Sequence, residues 1–186
     1  MQWFSNLALG LVNGWIFPAF LCLSFGVLLA VFPKRVVARL YDRSHQAERK
    51  KLPRLLAVLL VLAWLALCIL TPLPRGHVVL PIGLALYAFG LVGFIVALFN
   101  FAGTPAGQPV TSGVYRISRH PQQFMLSVAF MGASVAMGSW AAFLLMAIAA
   151  VGGHARVLAE EKACLEQYGD SYRQYMQRVP RYFLFF

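Results

Sequence analysis

The amino-acid sequence predicts an all-α, polytopic membrane protein with about five transmembrane helices. Three observations carry this. Hydrophobic residues make up 60% of the 186 and charged residues only 12%, about half the charged share of a soluble domain. The mean hydropathy is +0.70. The apolar residues also fall into long runs, separated by basic or Pro/Gly-rich segments, as spans separated by loops require.

The first apolar run goes from about Leu7 to Phe32 and is interrupted by Pro18. No Lys or Arg precedes it, so it lacks the basic end of a cleavable signal and reads as a retained first span. A loop from Pro33 to Arg54 holds eight Lys or Arg residues. The second run, Leu55 to Leu70, is short but uninterrupted, and the sequence Thr71-Pro-Leu-Pro-Arg-Gly76 makes a tight turn after it. The third run, about Val78 to Phe101, contains Gly83, Gly90 and Gly93, which permit close helix contact.

A Gly-, Pro- and Thr-rich loop follows, Ala102 to Ser112. The apolar stretch from Phe124 to Val151 is too long for one ordinary span, and Gly138-Ser139-Trp140 has turn composition. The stretch therefore reads as a helical hairpin, the fourth and fifth membrane helices. The fifth continues out of the membrane into a cytosolic C-terminal helical segment. The length suits one domain over 1–186.

The net charge of +10 is concentrated in loops. That pattern reports orientation and contact with anionic lipid, and it argues against nucleic acid as a partner. The basic 33–54 loop belongs in the cytosol, in an inner or cytoplasmic membrane. Alternation then puts the N-terminus outside and both the 102–123 segment and the C-terminal tail inside. Cys22, Cys68 and Cys164 have no metal-site or disulfide spacing.

Two polar clusters fall on that inner face. One is Tyr115, Arg116, Arg119 and His120; the other is Arg156 with Glu160 and Glu161. Ionisable groups at a membrane boundary are costly to hold and mark a site. Gly113-Val-Tyr-Arg-Ile-Ser-Arg-His-Pro121 resembles the G-x-Y-x-x-x-R-H-P signature of the isoprenylcysteine carboxyl methyltransferase family, and the wider phospholipid N-methyltransferase group has a similar one. The second signature of the family is matched by Arg156, the pair Glu160-Glu161, then Tyr168-Gly169, Tyr172, Tyr175 and Val179-Pro180-Arg181. The resemblance covers about residues 100–181.

The resemblance implies a methyltransferase that takes S-adenosylmethionine from the cytosol, releases S-adenosylhomocysteine, and receives a lipophilic or amphipathic acceptor from the bilayer. Residues 1–101 then supply three N-terminal helices, and 102–186 form the cofactor-binding catalytic region. Carried over residue by residue, the cofactor positions are Tyr115, Arg119, His120, Pro121, Glu160 and Glu161, with Tyr172, Tyr175 and Arg181. Arg156 matches the family arginine beside the acceptor. Gln123 stands at the cofactor corner where the family usually has an aromatic residue, and Phe124-Met125 follow where a small residue is common.

The chemistry fits these residue types. A carboxylate at Glu160 or Glu161 accepts the ribose hydroxyls, and Arg119 or His120 donates charge-assisted bonds to the carboxylate of the cofactor. Tyrosines wall the adenine. Methyl transfer is an in-line displacement, so positioning does much of the work. A carboxylate acceptor needs no base, and Arg156 would orient it. An amine or thiol acceptor loses a proton, for which Glu161 or a pocket Tyr is the candidate base.

Two other readings belong to different classes. Membrane sterol reductases have a similar C-terminal region and use a reduced nicotinamide cofactor, but their motif continues Asn-Tyr where this chain has Gln122-Gln123. A non-catalytic scaffold predicts that His120→Ala and Glu161→Ala affect stability alone. The sequence does not choose among carboxylate, lipid amine and thiol acceptors, and it does not fix the oligomeric state.

Overall fold

The computed structural model describes residues 7–42 and 51–183, the side chains of 51–54 excepted. The basic loop residues Arg43, Arg49 and Lys50, and His45, lie outside this range or its described side chains. Among the described residues there are seven α-helices: α1 (Ile16–Val31), α2 (Lys34–Tyr41), α3 (Lys51–Leu70), α4 (Val79–Ala102), α5 (Pro121–Ala136), α6 (Trp140–Tyr168) and α7 (Asp170–Arg178). A 3-10 turn covers Gly113–Arg116. Extended pairing among them is limited to one bridge, Asn13 with Pro72. The protein is all-α.

Helices α4 and α6, of 24 and 29 residues, are long and apolar enough to cross a membrane. Helix α1 and the stretch Leu55–Leu70 are apolar but shorter. Of the first apolar run, read from about Leu7 to Phe32 with an interruption at Pro18, α1 holds 16 residues, roughly 24 Å of helix. Pro18 lies in its first turn, where an amide N–H is not needed. Extending the helix further upstream would set the proline ring against the Gly14 carbonyl.

Residues 7–14 instead cover the end of α3. The Ala8 amide donates to the Leu70 carbonyl at 2.8 Å and that of Gly14 to Thr71 at 3.0 Å. The buried Asn13 side chain donates to the carbonyls of Ala8 (2.6 Å) and Ile69 (2.7 Å). Carbonyls at a helix end have no intrahelical partner, so this segment satisfies them.

Helices α4 and α5 pack along their length. A Cβ on Gly83 would overlap the backbone of Ala136, one on Gly90 the backbone of Ala129, and one on Gly132 the backbone of Tyr87. Two small-residue faces thus bring two backbones together. Around them a core of Phe17, Trp64, Tyr87, Leu91, Met137 and Met146 joins α1, α3, α4 and α6. Its polar atoms are paired: the Trp64 indole donates to Ser134 Oγ at 2.9 Å, and the Tyr87 hydroxyl to the Phe17 carbonyl at 2.7 Å.

Helix α5 opens on Pro121, a favoured first position. Only Met137–Ser139 separate α5 from α6, and the two helices touch. Gly138 has φ +67°, a left-handed turn, and Ser139 caps α6 by accepting the Ala142 amide at 3.2 Å. The apolar portion of α6 ends at Gly153. The polar residues of the second cluster follow on the same continuous helix.

Candidate functional site

The first motif folds as a sharp bend between α4 and α5. Gly113 has φ +59°, and a Cβ there would run into Asn100. Asn100 Oδ1 accepts the Val114 amide at 2.9 Å. The 3-10 turn that follows buries Tyr115, whose hydroxyl accepts from Gln122 Nε2 at 2.8 Å. The Tyr115 carbonyl accepts from the Tyr175 hydroxyl at 2.7 Å.

The motif is tied to the far end of the chain. The Arg119 amide donates to the Pro180 carbonyl at 3.0 Å, and buried Ser118 Oγ donates to the Arg181 carbonyl at 3.0 Å. These bonds seat Arg119 and His120 opposite the last turns of α6.

There Glu161 is buried at 3% exposure beneath Arg119, Arg181 and the His120 imidazole. Arg181 grips it with two bonds, Nη2 to Oε2 at 2.8 Å and Nε to Oε1 at 3.1 Å. His120 Nε2 lies 3.2 Å and Arg119 Nε 3.4 Å from Oε1. Burial alone would raise the Glu161 carboxyl, but the bonds from His120 and Arg181 and the charge of Arg119 outweigh it and hold it at about 2. Glu161 lies about two turns beyond the apolar portion of α6. The same bond raises the Arg181 guanidinium.

A carboxylate this acidic stays ionised and accepts only, so His120 Nε2 carries the proton of that bond. It also makes a weak general base. Glu161, a candidate base in the sequence, is held in this ion cluster. Glu160, one residue earlier, is exposed, and its Oε2 lies 3.9 Å from His120 Nδ1.

A cavity of about 1250 Å³ opens in front of this cluster. Of the residues singled out in the sequence, Tyr115, Arg119, His120, Gln123, Arg156, Glu160, Tyr172 and Tyr175 line it together. Pro121, Glu161 and Arg181 do not; they stand behind the wall. Arg119 is 6% exposed, and its Nε and Nη1 have no hydrogen-bond partner among the described residues. Tyr172 and Tyr175 are buried in the wall, their rings tilted against each other at 5.7 Å between centroids, whereas helical spacing also allowed surface anchors. Burial pushes both hydroxyls above the usual tyrosine range.

Arg156 bonds to Gln123 Oε1 through Nη2, across from α6 to α5. Gln123 itself packs against Gly153, where a Cβ would meet its Nε2 at 2.6 Å. An aromatic ring at position 123 would not supply this acceptor.

Three contributors have no signal in the sequence motifs. Helix α2 and the 103–110 loop form one side of the cavity. Tyr182, next to Arg181, sets its hydroxyl 3.1 Å from His154 Nδ1 and its ring beside His120. Gln122 fixes the Tyr115 hydroxyl. Only Tyr182 was findable, by its adjacency to the second signature.

An all-α chain with membrane-length helices, a buried Arg/His/Glu cluster and a large polar-to-apolar cavity beside it has the make-up of a membrane-associated enzyme. The phospholipid methyltransferase family model matches residues 76–171, just over half of the chain, and the protein belongs to that family. The match includes the first motif, Arg156 and both glutamates, and stops short of Tyr172, Tyr175 and Arg181. No curated protein and no solved structure matches the chain significantly.

Proposed function

We propose that the protein is an S-adenosylmethionine-dependent methyltransferase that acts on a lipophilic or amphipathic acceptor at the inner face of a membrane. The observation that carries this reading is Arg119. Its buried guanidinium lines the cavity; Nε is engaged in the ion pair with Glu161, whereas Nη1 has no hydrogen-bond partner among the described residues. A buried donor of this kind seeks an anion, and the carboxylate of the cofactor is one.

The remaining wall suits the rest of the same molecule. Glu160, a carboxylate that lines the cavity near Arg119 and His120, accepts the ribose hydroxyls. Tyr115, Tyr172 and Tyr175 pack the adenine. Pro121, Glu161 and Arg181 support Arg119 and His120 from behind, and Gln123 holds Arg156 toward the acceptor. Bound there, the cofactor supplies an electrophilic methyl group on a sulfonium. The residues of the chain hold the acceptor in line and keep water out. In this reading the N-terminus is outside and the site cytosolic; the support is the apolar length of α4 and α6 and the basic 33–54 segment.

The test is a thermal shift in detergent. S-adenosylhomocysteine raises the melting temperature and NADPH does not, and radiolabelled methyl then transfers to a total lipid extract or to prenylcysteine analogues. A shift with NADPH alone transfers the protein to the reductase reading, and no shift with either rejects both.

A further inference from the structure

The family match begins at residue 76, yet one side of the cavity is made by helix α2, far upstream. Helix α2 leans on α4 and α5 through buried Val36, within a cluster that includes Phe94, Leu98 and Met125. From it Arg39 reaches across to the 103–112 loop. Its Nη1 donates to the Thr104 carbonyl at 2.9 Å and the Pro105 carbonyl at 3.5 Å, and its Nη2 to the Gln108 carbonyl at 3.3 Å. The guanidinium also lies over the Phe101 ring, 4.4 Å from the centroid.

The loop has little else of this kind. Its other hydrogen bonds are local, such as Thr104 Oγ1 to the Asn100 carbonyl and the Gln108 amide to the Pro105 carbonyl. A planar fork with several donors can pin three carbonyls and stack on a ring together; an ammonium cannot.

The cavity is divided by chemistry. Arg119, His120 and Glu160 line one part of it, while Leu40, Phe94, Phe101 and Leu126 of one hydrophobic cluster line another, rimmed by Arg35, Arg39 and Asp42 of the α2 segment. Arg39 stands at the apolar end, where it holds the loop against α2.

We propose that Arg39 is a positioning residue: by pinning the 103–110 loop to α2 it forms the apolar end of the cavity, which receives the hydrocarbon chain of the acceptor. This rests on the methyltransferase reading for the identity of the acceptor, but the pinning itself does not. Charge complementarity assigns the polar end to the zwitterionic cofactor, and the apolar end then faces the chain of a lipid.

The experiment pairs hydrogen exchange with kinetics, using full-length protein in detergent as wild type, R39A and R39K. Exchange of the loop amides around Gly107 and Gln108 should accelerate about tenfold or more in R39A, the size of one charge-assisted hydrogen bond. R39K, which keeps the charge without the fork, should accelerate it nearly as much. Acceptor KM should rise by a similar factor and exceed any fall in kcat, most clearly for long-chain acceptors. The shift with S-adenosylhomocysteine should persist, showing that the variant is folded and the polar end intact.

Unchanged loop exchange in both variants overturns the proposal, as does faster exchange with an unaltered acceptor KM. If R39A fails to fold, R39K decides. If the wild type binds no S-adenosylhomocysteine, the methyltransferase reading falls, and with it the acceptor's role here, while loop exchange still answers whether Arg39 pins the loop.

Discussion

Arg181 holds Glu161 in a two-pronged grip at 2.8–3.1 Å, across twenty residues of sequence. The carboxylate is buried and depends on Arg119, Arg181 and the His120 N–H for compensation. Glu161→Gln keeps the shape and removes the charge. Breaking a buried pair costs about 3–5 kcal/mol, and denaturation in detergent should show a loss of that order. A cycle with Arg181→Met should show strong coupling between the two positions.

The same cluster sets an acid limit. The Glu161 carboxyl is depressed to about 2 from an ordinary 4.5. Stability from a depressed carboxyl is fully present above the ordinary value and is lost as pH falls through the folded one. The melting temperature should therefore decline between about pH 4.5 and pH 2, and Glu161→Gln should flatten that part of the profile. An identical acid limb in the variant would contradict the assignment.

Close approach of α4 and α5 predicts a contrast among glycines. Gly83→Ala and Gly132→Ala drive a methyl into backbone and should each cost about 1–3 kcal/mol or more. Gly26→Ala on α1 meets open space and should be neutral or gain up to about 1 kcal/mol of helix propensity. Thermal unfolding of the three variants side by side reads the difference.

Adjacent glutamates should separate in function. Glu160 is exposed and lines the cavity, whereas Glu161 is buried behind it. Glu160→Gln should weaken S-adenosylhomocysteine binding about tenfold, the loss of a charge-assisted bond, and leave the melting temperature of the unliganded protein within about 1 °C. Calorimetric titration checks the first and a melting curve the second.

Local chemistry explains which of these features the sequence disclosed. Gly138 and Ser139 announce the α5–α6 turn because one needs a left-handed φ and the other caps a helix. Pro121 starts α5 for the reason any proline starts a helix. The two signatures point to Arg119, His120 and Glu160, which line one cavity. What could not be read was partnership. Nothing near Glu161 says that two arginines and a histidine will bury it, so pKa and solvent access emerge only from tertiary packing. The start of α1 was not legible because residues 7–14 are apolar enough for a span yet cap α3 through Asn13. Arg39 looked like one more basic loop residue, since its carbonyl partners lie over sixty residues away.

The bonds from Ser118 and Arg119 to Pro180 and Arg181 have a consequence for biogenesis. During synthesis every helix through α7 emerges before Arg181, the bidentate partner of Glu161, does. Until residue 181 clears the ribosome and the inserting machinery, the nascent chain carries the cluster with Arg119 and His120 but without that partner. Closing the pocket is thus a late event in maturation, and a stop codon shortly before position 180 would release a protein with its helices largely made and its binding site unlatched.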